Sequence, residues 1–89
     1  MDKENKEIKE IIELDTKKFK NEKEYFDFAL NEIEKHIPEL KELKNKKDNK
    51  LNSELIDIYV WAKILLDTHK IKDKDILKRL EHFKEKARM

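Results

Sequence analysis

The sequence predicts an all-α fold, a small antiparallel bundle of about four helices formed by a single domain over residues 1–89. Apolar residues recur at spacings of three and four along most of the chain, which is the period of an amphipathic helix. No segment alternates apolar and polar residues as a half-buried strand does. The chain contains no glycine and one proline, so it lacks the residues that the tight turns between β-strands favour.

The first helix is predicted over about residues 3–15. Ile8, Ile11 and Ile12 form a short stripe at spacings of three and one, and acidic residues precede them, where the positive end of a helix dipole favours negative charge. We expect this helix to end near Asp15 and Thr16.

The second helix begins after Asn21, because Asn21 and Glu24 have the spacing of a capping pair. Pro38 lies inside this helix and removes one backbone donor, so it predicts a kink there. The helix is expected to end within residues 44–49. Its apolar seam has spacings of four, three, four and three and consists of Phe26, Leu30, Ile33, Ile37 and Leu40.

The third helix is predicted from Ser53, as its N-cap, to His69, after a short polar loop over residues 45–50. Ten of the twelve residues from Leu55 to Leu66 are apolar in a chain that is 48% charged. A helix that is apolar almost all round must be covered on almost all sides. We therefore expect the third helix to lie at the centre of the bundle.

Asp73 and Asp75 are start signals for a fourth helix. Basic residues near its predicted C-terminus match the negative end of the helix dipole. Its apolar stripe consists of Ile76, Leu80, Phe83 and Ala87.

Composition excludes several classes of function. Without glycine, phosphate-cradling loops and dinucleotide fingerprints are excluded, and without cysteine there is neither a disulfide nor a thiolate site. The first fourteen residues do not form a signal peptide, and no apolar stretch reaches the roughly 20 residues that span a bilayer. We expect a cytoplasmic protein with no cofactor and no membrane partner, in which no catalytic residue can be singled out.

The first functional hypothesis is a non-enzymatic protein-protein interaction or regulatory module that self-associates, most simply as a homodimer. The third helix carries more apolar surface than three short neighbours are expected to cover. Aromatic residues are common interface anchors, so Tyr59, Trp61 and Ile64 are the interface candidates. Whether the chain's own helices or a second chain covers the Trp61 side is left open.

The second hypothesis concerns four acidic residues on the second and third helices. Glu39 and Glu42 form an ExxE motif, and Glu54 and Asp57 form an ExxD motif. Across a hairpin, Glu39 would face Asp57 and Glu42 would face Glu54, since each pair is equidistant from residue 48. This arrangement resembles the metal-binding pattern of the MazG-like all-α nucleotide pyrophosphohydrolases. The resemblance implies that the four carboxylates bind Mg²⁺, which in that family holds a nucleoside triphosphate.

The third hypothesis is nonspecific nucleic-acid binding through a basic turn, because clustered lysines can bind phosphates without reading sequence. The net charge of +1 gives no overall attraction to nucleic acid. The lysines of this turn are Lys41, Lys44, Lys46, Lys47 and Lys50.

The three histidines match no metal motif. His36, His69 and His82 lack both the ExxH spacing of ferritin-like sites and the HExxH motif. We expect His69 at a helix C-terminus, where a protonated imidazole is favoured, and the other two at the edges of amphipathic helices.

Overall fold

The structure, a computed structural model, describes residues 2–44 and 49–89, which form four α-helices. Helix α1 spans Asp2–Thr16, α2 spans Glu22–Leu43, α3 spans Asn49–Thr68 and α4 spans Asp73–Arg88. No strand occurs within these two ranges. The predicted all-α class and the number of helices are therefore confirmed.

The start of α2 is capped as the sequence predicts. The Asn21 side chain accepts a hydrogen bond of 2.9 Å from the Glu24 backbone N–H, and the Glu24 carboxylate accepts one of 3.0 Å from the Lys20 N–H. These bonds satisfy backbone donors that the first turn of a helix leaves without partners. Pro38 lies inside α2, which is helical on both sides of it, and the kink at Pro38 stays a prediction.

Helix α3 begins at Asn49, four residues before the predicted start. Ser53 is therefore not the N-cap and lies in the second turn of the helix. Leu51 continues the apolar stripe of Leu55 and Ile58 by one turn, which extends the helix toward α2. Residues 49 and 50 of the predicted loop are helical, and residues 45–48 lie outside the described residues.

Helices α1, α2 and α3 form the packed bundle. Ile8 of α1, Tyr25 of α2 and Ile64 of α3 are the buried centre, and they are at most 4% exposed. Phe19, in the turn between α1 and α2, packs against this centre with its ring 5.3 Å from that of Tyr25. Helix α3 contacts both α1 and α2, which agrees with the central position predicted for it.

Helix α4 stands apart from this bundle. Among the described residues, no Cα of α4 lies within 8 Å of a Cα of another helix. Lys72 donates its backbone N–H to the Asp75 carboxylate at 3.1 Å, which confirms the predicted helix start. The apolar stripe of α4 nevertheless has none of the other three described helices packed on it.

The connection from α3 to α4 sets the direction of α4. Lys70 adopts a φ of 57°, in the left-handed region. Its N–H bonds to the Asp67 carbonyl at 3.1 Å, and the Ile71 N–H bonds to the Leu66 carbonyl at 3.0 Å. This is a Schellman motif that ends α3, formed with lysine where glycine is usual. Hydrogen bonding within the connection therefore fixes the backbone where the chain leaves the bundle.

Candidate functional site

The three interface candidates differ in how far they are covered. Ile64 is 1% exposed and belongs to the buried centre with Ile8 and Tyr25, so the single chain already covers it. The Trp61 ring lies edge-on to Phe28 of α2, with centroids 5.5 Å apart, and packs against the same centre. Tyr59 remains 49% exposed, and its hydroxyl donates to Glu4 of α1, which raises the pKa of Tyr59. The chain's own helices therefore cover much of the Trp61 side.

A different face of α3 is left open. We define the α3 stripe as four side chains on one face of α3 that the other helices leave exposed or partly exposed. Its first two members, Leu55 and Tyr59, are about half exposed, at 51% and 49%, and the last two are partly exposed. The stripe consists of Leu55, Tyr59, Ala62 and Leu66.

The second uncovered surface lies on α4. We define the α4 stripe as Ile76, Leu80, Phe83 and Ala87, the apolar positions predicted from the sequence. Leu80 is 50% exposed and Phe83 is 60% exposed. The Arg79 guanidinium lies 5.7 Å from the centre of the Phe83 ring. One face of α4 is thus apolar and reaches solvent over most of its length.

The two stripes meet at an open apolar groove of about 390 Å³. Leu66 contributes the end of the α3 stripe, and Ile76, Leu80 and Phe83 contribute the α4 stripe. Ile71 lies at the base of the groove, in the connection between the helices. The groove is therefore continuous with both uncovered faces.

The second candidate site is a cluster of one imidazole and three carboxylates between α2 and α3, which we call the His36 cluster. His36 Nδ1 bonds to the Glu54 carboxylate, and His36 Nε2 lies 3.8 Å from the Asp57 carboxylate. Donor atoms of His36, Glu39 and Glu54 all lie within 4.8 Å of one another. The His36 and Glu54 side chains are only 17% and 12% exposed. His36 and Glu54 are thus partly buried between the two helices, while Glu39 is exposed and the Asp57 side chain is 51% exposed.

The ionisable groups of the cluster shift one another's pKa values. The hydrogen bond with Glu54 raises the pKa of His36, and Asp57 and Glu39 add to this effect through their charges. The bond with His36 lowers the pKa of Glu54. Contact with Glu54 raises the pKa of Glu39, while the nearby Lys50 ammonium opposes that shift. Both shifts favour the charged forms of His36 and Glu54.

The predicted magnesium set is brought together only in part. Glu39, Glu54 and Asp57 belong to the cluster, whereas Glu42 is not among the described residues whose donor atoms group within 4.8 Å. Glu54 contacts Glu39 and His36 where the hairpin prediction placed it opposite Glu42. The helices are thus displaced by about one turn from the predicted register, since His36 and Glu39 lie where Glu39 and Glu42 were expected.

His36 is the residue that sequence reasoning missed. It was expected at an amphipathic edge, with no metal motif on its own helix. The available signal was its spacing, since His36 and Glu39 share one face of α2 at i, i+3. An HxxE pair on one helix facing an ExxD pair on the next describes the observed cluster.

The predicted basic turn is described only in part. Lys41, Lys44 and Lys50 are exposed, while Lys46 and Lys47 lie outside the described residues. The charge of Lys50 contributes to the lowered pKa of Glu54 and opposes the raised pKa of Glu39. Part of the positive charge of this turn therefore faces the acidic cluster. The nucleic-acid hypothesis stays a prediction.

A surface depression of about 800 Å³ lies at the opposite end of the bundle from the His36 cluster. The turn between α1 and α2 and the end of α3 form its walls, with Phe26 and His69 among its lining residues. His69 Nδ1 lies 3.0 Å from the Leu65 carbonyl, at the helix end where it was predicted. His69 is thus held by its own helix.

Within the described ranges, the helices are too short or too polar to cross a bilayer. Comparison of the chain with protein-family models, curated proteins and solved structures finds no significant match.

Proposed function

We propose that this chain is a helical protein-interaction module whose partner is a second copy of itself. The observation that carries the proposal is the matched spacing of the α3 and α4 stripes. In an antiparallel pairing, Leu66 would meet Ile76 and Leu55 would meet Ala87, and between them Ala62 would meet Leu80 and Tyr59 would meet Phe83. The two residues of each pair are the same number of positions before and after Ile71 in the sequence.

The size and character of the uncovered surface support association. Monomeric proteins seldom expose contiguous apolar patches of more than a few hundred Å². Here Leu55, Tyr59, Leu80 and Phe83 are each about half exposed or more, and they lie on two faces that meet at one groove. An isolated helix of 16 residues is also marginal in water without a packed face. Covering the α4 stripe would therefore stabilise α4 itself.

The connection between α3 and α4 favours a second copy as the occupant of the α3 stripe. The Schellman motif at Lys70 directs α4 away from its own α3. An α4 helix from another chain can reach the same stripe without breaking those hydrogen bonds. If each chain placed its α4 on the α3 stripe of the other, both stripes of both chains would be covered in a two-fold dimer. Exchange of one element across a short hinge is a common route to dimers.

Sedimentation velocity with matched variants tests the proposal. We expect the wild-type chain to be dimeric at tens of micromolar and Leu80→Asp to be monomeric, because a charge on the α4 stripe would be buried without a partner. Leu14→Asp is the matched control: Leu14 is 57% exposed and belongs to neither stripe, so this variant should stay dimeric. A monomeric wild type, or equal behaviour of the two variants, would contradict the proposal.

Disulfide trapping tests the register. The chain has no cysteine, so a Tyr59→Cys chain can be mixed with a Phe83→Cys chain and oxidised. We expect a disulfide from position 59 of one chain to position 83 of the other. The control replaces Phe83→Cys by Lys78→Cys, which lies on the polar face of α4. Its disulfide with the Tyr59→Cys chain should form much more slowly. Equal rates for positions 78 and 83 would rule out the proposed pairing.

A further inference from the structure

We infer that the His36 cluster is a binding site for a divalent ion of the zinc class, in which His36, Glu39 and Glu54 are the ligands and Asp57 orients the imidazole. The inference is independent of self-association, because the cluster lies between α2 and α3 of one chain. It differs from the predicted magnesium set in containing a nitrogen ligand and in omitting Glu42.

The geometry supplies three donors from two helices. One ligand atom from each of His36, Glu39 and Glu54 lies within 4.8 Å of the others. Ligands held about 2.0–2.2 Å from a tetrahedral zinc ion are about 3.3–3.6 Å apart. Small rotations of these side chains would therefore bring all three donor atoms around one ion. Since α2 and α3 are packed along their length, the backbone need not move.

The two imidazole nitrogens have different surroundings. Nδ1 faces Glu54, and Nε2 lies 3.8 Å from the Asp57 carboxylate. Metal-bound histidines usually donate their second ring N–H to a carboxylate, which fixes the tautomer and the ring orientation. Asp57 occupies the place of that outer partner. We therefore assign Nδ1 to the ion; at 3.8 Å the Nε2–Asp57 contact is longer than a hydrogen bond, and a small movement of the ring toward Asp57 on binding would form one.

The donor set selects the class of ion. Imidazole nitrogen suits zinc, nickel, cobalt and copper, whereas magnesium prefers oxygen ligands alone and keeps several waters. Two glutamates beside one histidine make a borderline set that favours Zn²⁺ over Mg²⁺. Three protein ligands leave a fourth tetrahedral position for water. Two ligand carboxylates also neutralise the charge of a divalent ion.

A second HxxE pair in the chain provides a matched control. His82 and Glu85 lie on α4 at the same spacing as His36 and Glu39 on α2. No helix packs against α4 among the described residues, so that pair faces no ExxD partner. If the site depends on the pairing of α2 with α3, only the α2 pair will hold the ion.

Isothermal titration of the full chain with ZnCl₂, MnCl₂ and MgCl₂ tests the inference. We expect one Zn²⁺ per chain, with Mg²⁺ at least tenfold weaker. The double variant His36→Asn/Glu39→Gln should lose the site, and His82→Asn/Glu85→Gln should retain wild-type affinity. A wild-type chain that binds no Zn²⁺, or equal losses in both double variants, would overturn the inference.

Two further variants separate a lost ligand from a misfolded chain. Glu54→Gln keeps the size of the side chain and should lose Zn²⁺ binding while its far-ultraviolet circular dichroism stays that of the wild type. Asp57→Asn should retain one Zn²⁺ per chain with an affinity about 10–100-fold weaker, as for outer partners of metal ligands. A well-folded Glu54→Gln chain that binds Zn²⁺ like the wild type would contradict the ligand set. An Asp57→Asn chain with unchanged affinity would contradict the role of Asp57.

Discussion

The Tyr25 hydroxyl donates a hydrogen bond of 3.0 Å to the Asp15 carboxylate, joining the start of α2 to the end of α1. Tyr25 is 4% exposed, so its ring belongs to the buried centre while its oxygen reaches the edge. Burial and the bond to Asp15 together raise the pKa of Tyr25 above its ordinary value. This single side chain therefore contributes to packing and also fixes the angle of the turn between the helices.

Replacing Tyr25 by phenylalanine should lower the free energy of unfolding by about 1.5–3 kcal/mol, the range for a hydrogen bond to a charged group. Urea denaturation followed by circular dichroism measures this change. Tyr59→Phe is the matched control, because the Tyr59 hydroxyl also bonds a carboxylate, that of Glu4, but its side chain is 49% exposed in the single chain. Loss of the Tyr59 hydroxyl should lower the free energy of unfolding by much less. Equal costs for the two variants would show that burial of the bond is unimportant.

Truncation of Ile64 should destabilise the chain strongly. Ile64→Ala leaves a cavity where α1, α2 and α3 meet, and such substitutions cost about 2–5 kcal/mol. Leu14→Ala removes a side chain that is 57% exposed and should change stability by less than about 0.5 kcal/mol. Thermal unfolding of both variants gives the comparison. A small effect of Ile64→Ala would argue against this core.

Loss of the α2 cap should destabilise the chain moderately. Asn21→Ala removes the acceptor for the Glu24 N–H and should cost about 0.5–2 kcal/mol. Asn31→Ala, at an exposed position in the interior of the same helix, should instead stabilise slightly because alanine has the higher helix propensity. The free energy of unfolding, measured by chemical denaturation, should therefore fall in Asn21→Ala and rise slightly in Asn31→Ala. A shift in the same direction would exclude a capping role for Asn21.

The pH dependence of the His36 cluster has a defined sign in the metal-free protein. The raised pKa of His36 means that its stabilising charge is complete below pH 6.5 and is lost as pH rises through the raised value. The lowered pKa of Glu54 means that its contribution is present above pH 4.5 and is lost as pH falls. With chelator present, the difference in stability between the wild type and His36→Asn should be largest between these values.

Nuclear magnetic resonance titration of the imidazoles checks the same point directly. The pKa of His36 should lie above 6.5 and should fall in Glu54→Gln, because the carboxylate that holds its proton is gone. His82→Asn assigns the remaining resonances and should leave the pKa of His36 unchanged. A His36 pKa that does not respond to Glu54→Gln would contradict the observed pairing.

Local features of the fold were largely predictable. Asn21 and Glu24 mark the start of α2, and Asp73 and Asp75 mark the start of α4, because capping depends only on residues within one turn. The start of α3 was misplaced at Ser53, since a suitable N-cap residue does not prevent a helix from extending through it. Leu51 belongs to the same apolar stripe and already indicated that extension.

The candidate sites were less predictable. Three members of the His36 cluster were proposed, but His36 itself was not, and Glu42 was included. Spacing along a helix determines which side chains share a face, but it does not determine which turn of the neighbouring helix they contact. The offset of α2 against α3 is a property of the packing between the two helices, which spacing within one helix does not specify.

The sequence by itself determined that the chain is all-α, where most of its helices begin and end, and which faces are apolar, because these properties follow from contacts within a few residues. Only the tertiary structure decided that Ile64 is core, that His36 meets Glu54, and that the α4 stripe is left uncovered. Those outcomes depend on how helices distant in sequence pack against one another, and on the hydrogen-bonded end of α3 at Lys70 that directs α4 away from the bundle.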